Sequence, residues 1–90
     1  MATLYKTNGR CKEVFPKNGT DFKLDELQGF VGGYIEIVPV LTGAPKGSVM
    51  VVNEEGKLMK LPINDIGTLM TGFTDVIVGD ILVCNEGEIR

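Results

Sequence analysis

Two consecutive glycines, followed at once by a β-branched and aromatic run, set the tightest limit on what this chain can fold into. Val31-Gly32-Gly33-Tyr34-Ile35-Glu36-Ile37-Val38 reads as a helix end turning straight into a strand. A helix commonly stops at a residue with positive φ, where glycine meets no steric penalty. The residues after the pair have the composition of a pleated, half-buried surface. Val49 to Val52 is the expected strand partner, and the rest of the chain has to pack on this pair or extend it.

The flanking segments fill in an α+β domain. Ala2 to Thr7 and Arg10 to Phe15 are β-prone and flank Asn8-Gly9, a strong hairpin signal because a type I′ turn needs positive φ at both central positions. Arg10 and the neighbouring lysines suit an exposed edge, where charge discourages further pairing. Asp21 is the expected N-cap of a first helix, with Asp25 and Glu26 favoured by its dipole. Leu24, Leu27, Phe30 and Val31 recur at helical spacing. Gly29 inside that pattern marks either a close approach of helix to sheet or a tolerated defect.

Beyond the glycine pair, alternation places Ile35 and Ile37 on a core face and Tyr34, Glu36 and Val38 on the other. Pro39 cannot donate to a ladder, so a bulge or a sheet edge is expected there. Thr42 to Gly47 is a flexible loop. Val49-Met50-Val51-Val52 is apolar on both faces and belongs to a central strand, or to one covered by another subunit. Asn53-Glu54-Glu55-Gly56 reads as a turn with Gly56 left-handed, returning along a strand from Lys57 to Leu61. Asn64 is placed to cap a second helix carrying Ile66, Leu69, Met70 and Phe73, ended by Gly72. Val76 to Val78 and Ile81 to Cys84 are further strands around Gly79-Asp80, either a type II′ hairpin or a bulge. The polar tail from Asn85 to Arg90 is expected to fray. The sum is one domain over residues 1–90: a small antiparallel sheet or partly closed barrel of about six strands with two short helices.

Composition narrows the chemistry. Ninety residues leave no room for a second core, yet 43% are apolar, a surplus that points to a homo-oligomer. The net charge of −3 lacks the basic footprint of a nucleic-acid binder. No apolar run approaches the length of a membrane span, and Met1-Ala2-Thr3-Leu4 has no signal-peptide pattern, so a cytoplasmic location is expected. Cys11 and Cys84 stand outside any metal or redox spacing and read as strand or core residues. Histidine, the usual general base at neutral pH, is absent, and no nucleophile elbow or phosphate loop occurs. No catalytic residue, metal site or cofactor is expected. Glu54 and Glu55 are explained by a turn.

Candidate binding residues remain. Glu36 beside Tyr34 is either a solvated strand residue or a polar handle next to a flat platform. Asn64 is a helix cap or a ligand-reading amide. Lys57 and Lys60, on one strand, would point to opposite faces, so at most one lines a given pocket.

Leu27-Gln28, Val31-Gly32-Gly33-Tyr34-Ile35-Glu36, Asn53-Glu54-Glu55-Gly56-Lys57-Leu58, Leu61-Pro62-Ile63-Asn64 and Val78-Gly79-Asp80 resemble, in order, the signature blocks of domain-of-unknown-function family 3846. The Asn8-Gly9 hairpin, the Asn18 to Phe22 segment and Val83-Cys84 look most like its Bacteroides-type members, although the Thr42 to Gly47 loop is longer than usual. The resemblance implies a small protein of phages and mobile elements, a setting in which non-catalytic proteins often counter host defence. The reading that follows is a homo-oligomeric binder that sequesters a nucleotide-derived immune signal. Tyr34 or Phe73 would stack on the base, Lys57, Lys60 or Arg10 would neutralise phosphate, and Asn53 and Asn64 would read edges. The alternative is a protein–protein module that inhibits or adapts a host enzyme.

Overall fold

The computed structural model describes residues 2–89. Five strands form a single open sheet: β1 (Ala2–Tyr5), β2 (Cys11–Val14), β3 (Ile35–Pro39), β4 (Ser48–Asn53) and β5 (Ile81–Asn85). Their order is β2-β1-β5-β4-β3, with every neighbouring pair antiparallel. The sheet is α+β as expected, but it is not closed into a barrel. Two hairpins, β1–β2 and β3–β4, are joined only by β5, which lies between β1 and β4.

Helix α1 (Leu24–Val31) covers one face and helix α2 (Asp65–Met70) the other, so the sheet is the middle of three layers. Alternation divides the core accordingly. Val51, Leu82 and Cys84 meet Leu27 and Val31 of α1, while Met50, Val52, Ile81 and Val83 meet Met70 and Ile77. This is why β4 and β5 are apolar on both sides: α2 and its flanks supply the second cover within the chain. Phe22 is fully buried, edge-on to Phe30 at 5.8 Å between centroids.

The first hairpin turns at Lys6–Gly9, where the Gly9 N–H donates to the Lys6 carbonyl and Lys6 N–H to that of Arg10. Only Gly9 has positive φ, +88°, so the turn is type I closed by a glycine bulge rather than type I′. Helix α1 is capped at Lys23, not Asp21: the Glu26 carboxylate reaches back to the Lys23 N–H at 2.8 Å, while Asp21 accepts from Asn18. Gly32 ends this helix with φ +80°. Gly33 lies against Asn53, where an added Cβ would stand 3.1 Å from the side-chain nitrogen. Gly29 faces open space and marks no close approach to the sheet.

Several expected elements are replaced by turns. Residues 54–60 fold into successive turns with no strand from Lys57 to Leu61. Lys60, at φ +55°, is the left-handed residue there. Gly56 is needed for space instead: a Cβ would sit 2.8 Å from Val78. Val76 to Val78 form no strand either, since Val78 makes a single bridge to Ile63 and Ile77 packs under α2. Gly79-Asp80 is therefore neither hairpin nor strand bulge but the entry to β5, with Gly79 N–H donating to Pro62. Helix α2 stops before Phe73, which lies beyond it at φ +62° and is 71% exposed.

The expected loop from Thr42 is tethered, because Leu41 and Thr42 N–H groups both donate to the Met70 carbonyl at the end of α2. Residues 85–89 do not fray: Glu86–Glu88 form a 3₁₀ turn, and the Phe22 N–H donates to the Glu88 carbonyl at 2.7 Å. Arg90, the last residue of the expected frayed tail, and Met1 lie outside the described residues.

Candidate functional site

The turn after β4 and the chain entering β5 come together at one end of the sheet. Between them runs a groove of about 140 Å³ lined by Glu36 and Val38 of β3, Val52 and Asn53 of β4, the turn residues Glu54, Lys57 and Leu58, and residues 75–78. The edge strand supplies part of the floor and two irregular segments supply the walls. Lys57 Nζ and Asp75 Oδ1 are 2.8 Å apart across it. Accepting from Lys57, and also from the Val76 N–H, holds the Asp75 carboxyl below the usual range. Both side chains are mostly exposed, so the pair adds little to stability and is free to exchange partners. Glu36, Glu54 and Asp75 against Lys57 leave the groove acidic.

The candidate residues are only partly brought together. Glu36, Asn53 and Lys57 share this groove. The Asn53 amide, however, is committed: Nδ2 donates to Val31 and Oδ1 accepts from the Glu55 N–H, and the residue is 5% exposed. Asn64 is a lock of the same kind, 1% exposed, donating to Tyr5 and Gly79 carbonyls while its oxygen caps α2 at Gly67. Neither amide is available to read a ligand edge. Tyr34, Lys60 and Phe73 lie outside the groove lining, and Arg10 lines a separate hollow with Lys6, Cys11 and Lys12. Lys57 and Lys60 share no strand, so their separation comes from the turns rather than from alternation. Glu54, Leu58, Asp75 and Val76, with the apolar Val38, Val52, Ile77 and Val78, are the groove residues that sequence reasoning did not single out for binding, Glu54 having an explanation as a turn residue. Leu58 adjoins Lys57 in a block already singled out, whereas nothing local marks Asp75.

Three of the blocks that carried the family resemblance meet here. Glu36, Asn53, Glu54, Lys57, Leu58 and Val78 all touch this groove. Val31-Gly32, Leu61-Pro62 and Gly79-Asp80 line a second, more open hollow of about 290 Å³. The profile of the family described as Domain of unknown function (DUF3846) matches residues 3–89. The chain belongs to the DUF3846 family. No curated protein and no solved structure is detectably similar to it. In this DUF3846 chain no group of three or more metal-ligating side chains occurs among the described residues. Nor is any helix of those residues long and apolar enough to cross a membrane.

Proposed function

We propose that this protein acts by holding a small molecule, in the setting implied by its family resemblance: a phage or mobile-element protein in the cytoplasm of a bacterial host. It works as a homo-oligomer that sequesters a nucleotide-derived signal and so counters host defence. The observation supporting this reading is the convergence of Glu36, Lys57 and Val78, from three separate family blocks, on one groove. The sequence offers no histidine to drive chemistry there.

The acidic lining favours a ligand entering base first. Glu36 and Glu54 accept from the donor-rich edge of a purine, while Lys57 leaves Asp75 to meet phosphate at the mouth. A groove of about 140 Å³ holds only part of such a ligand, since enclosed sites typically measure roughly 300–1,000 Å³. The remainder is covered by a second copy.

A thermal-shift screen against purine mononucleotides and cyclic dinucleotides tests this reading. Binding to the native state alone stabilises by about 2.7 kcal/mol at a hundredfold excess over Kd. At least one compound should produce such a shift, and Glu36→Ala or Lys57→Ala should abolish it. Silence across the panel overturns the reading. Recovery of a specific host enzyme on the immobilised protein would then favour the second one, a protein–protein module, for which the exposed apolar Leu58 and Val76 on the groove rim are suited.

A further inference from the structure

The two edges of the sheet are unlike. Along β2, Lys12 and Glu13 follow Arg10, a charged border of the kind that resists strand addition. Along β3 the sequence is Ile35-Glu36-Ile37-Val38-Pro39, with one charge and no lysine or arginine. Its outward backbone groups can be identified. Glu54 N–H donates to the Tyr34 carbonyl, so residues 34, 36 and 38 bond to β4. The other border of β4 agrees, because Glu86 N–H donates to Gly47 and commits Val49 and Val51 to β5. Ile35, Ile37 and Pro39 therefore turn their backbone groups away from the sheet. Ile37, meant for the core by its alternation, is 48% exposed.

We infer that the β3 edge is the self-association surface of this protein, occupied by β3 of a second copy in antiparallel register about Ile37. The strand is complementary to itself in that register. The two Ile37 residues exchange both N–H···O bonds, and each Ile35 N–H donates to the Pro39 carbonyl of the other copy. Pro39 has no N–H to return, so it leaves no donor orphaned. Glu36 stands opposite Val38 of the other copy, which keeps the two glutamates from facing each other. The half-exposed Ile37 side chains become neighbours on the α1 face.

On the opposite face, Glu36 and Val38 are part of the groove floor. The second copy therefore extends each floor with its own Val38 and Glu36. This deepens the proposed oligomer and rests on it: the cover that the small groove lacks comes from across the seam. A five-residue seam is a modest interface, so the dimer forms and dissociates with concentration.

Sedimentation equilibrium of the wild-type chain over a wide concentration range, alongside Ile37→Lys, is the test. A second measurement oxidises Ile37→Cys in a Cys11→Ser background. Wild type should dimerise, Ile37→Lys should be monomeric with an unchanged circular-dichroism spectrum, and Ile37→Cys should cross-link to a covalent dimer. A wild type that is monomeric throughout overturns both this seam and the oligomer of the proposed function. A dimer indifferent to Ile37→Lys, with no cross-link through Ile37→Cys, overturns the seam alone.

Discussion

The side-chain amide of Asn53 donates to the carbonyl of Val31 across 3.1 Å, so the last residue of β4 holds the last turn of α1. That carbonyl is one of the orphan acceptors every helix leaves at its C-terminal end. The same side chain takes the Glu55 N–H on its oxygen and starts the groove-forming turn. Replacing Asn53 by Ala strands a buried carbonyl and an amide, at a cost of about 2 kcal/mol. Asn53→Asp keeps the acceptor but sets a carboxylate against the Val31 carbonyl, and should cost at least as much. Urea denaturation of both variants checks this, with Asn64→Ala, which loses three such bonds, expected to fall further than Asn53→Ala.

Two helical glycines should respond in opposite directions. At Gly67 an added Cβ would stand 2.8 Å from Ile77 Cγ2 and 2.9 Å from Ile81 Cδ1, so Gly67→Ala overpacks the α2 face and costs roughly 1–3 kcal/mol. Gly29 is exposed with nothing within 4 Å, and Gly29→Ala should stabilise by about 0.5–1 kcal/mol through helix propensity alone. Thermal melts of the pair measure both signs in one experiment.

These glycines show which parts of the fold were legible. The pair at Gly32-Gly33 was readable because a helix stop and a strand start are local events. Strands β4 and β5 were readable because an unbroken apolar run has to be buried on both faces. Lys57 to Leu61 was misread because its alternation is compatible with a strand, and only the approach of Val78 to Gly56 and the left-handed Lys60 reveal a coil of turns. Asn53 and Asn64 were recognised as special, but an amide that binds its own backbone and one that binds a ligand look the same in sequence. Lys57 meeting Asp75 joins residues brought together only when the 54–60 and 75–78 segments fold across β4.

The two thiols should behave differently toward reagents and pH. Cys11 is exposed on the β2 edge, whereas Cys84 is buried, and burial pushes its thiol up to about 11 from 9.0. Ellman's reagent at pH 8 should modify Cys11 rapidly and Cys84 only on unfolding. The unfolded chain surrenders the Cys84 proton first as pH rises, so the folded state loses stability between roughly pH 9 and 11. Cys84→Val should flatten that part of the pH–stability curve.

Acid acts on a different group. The Glu26 carboxylate accepts from the Lys23 and Lys17 N–H groups, which lowers its pKa below the ordinary carboxylate value. Its contribution is therefore complete above about pH 4.5 and disappears as pH falls through the depressed value. Melting temperature should drop in this acid range for wild type and drop less for Glu26→Gln, which carries no ionisable group. An equal drop in both would assign the acid sensitivity elsewhere.

The position of β5 has a temporal consequence. The strand that bonds the two hairpins to each other comes after both of them in the chain, at residues 81–85. While the nascent polypeptide is still short of that point, each hairpin can form but has nothing to zip onto, and the inner borders of β1 and β4 stand open. Completion of the sheet thus waits on residues 81–85. A chain cut just before Ile81 would have a pair of unjoined arms rather than most of a finished domain.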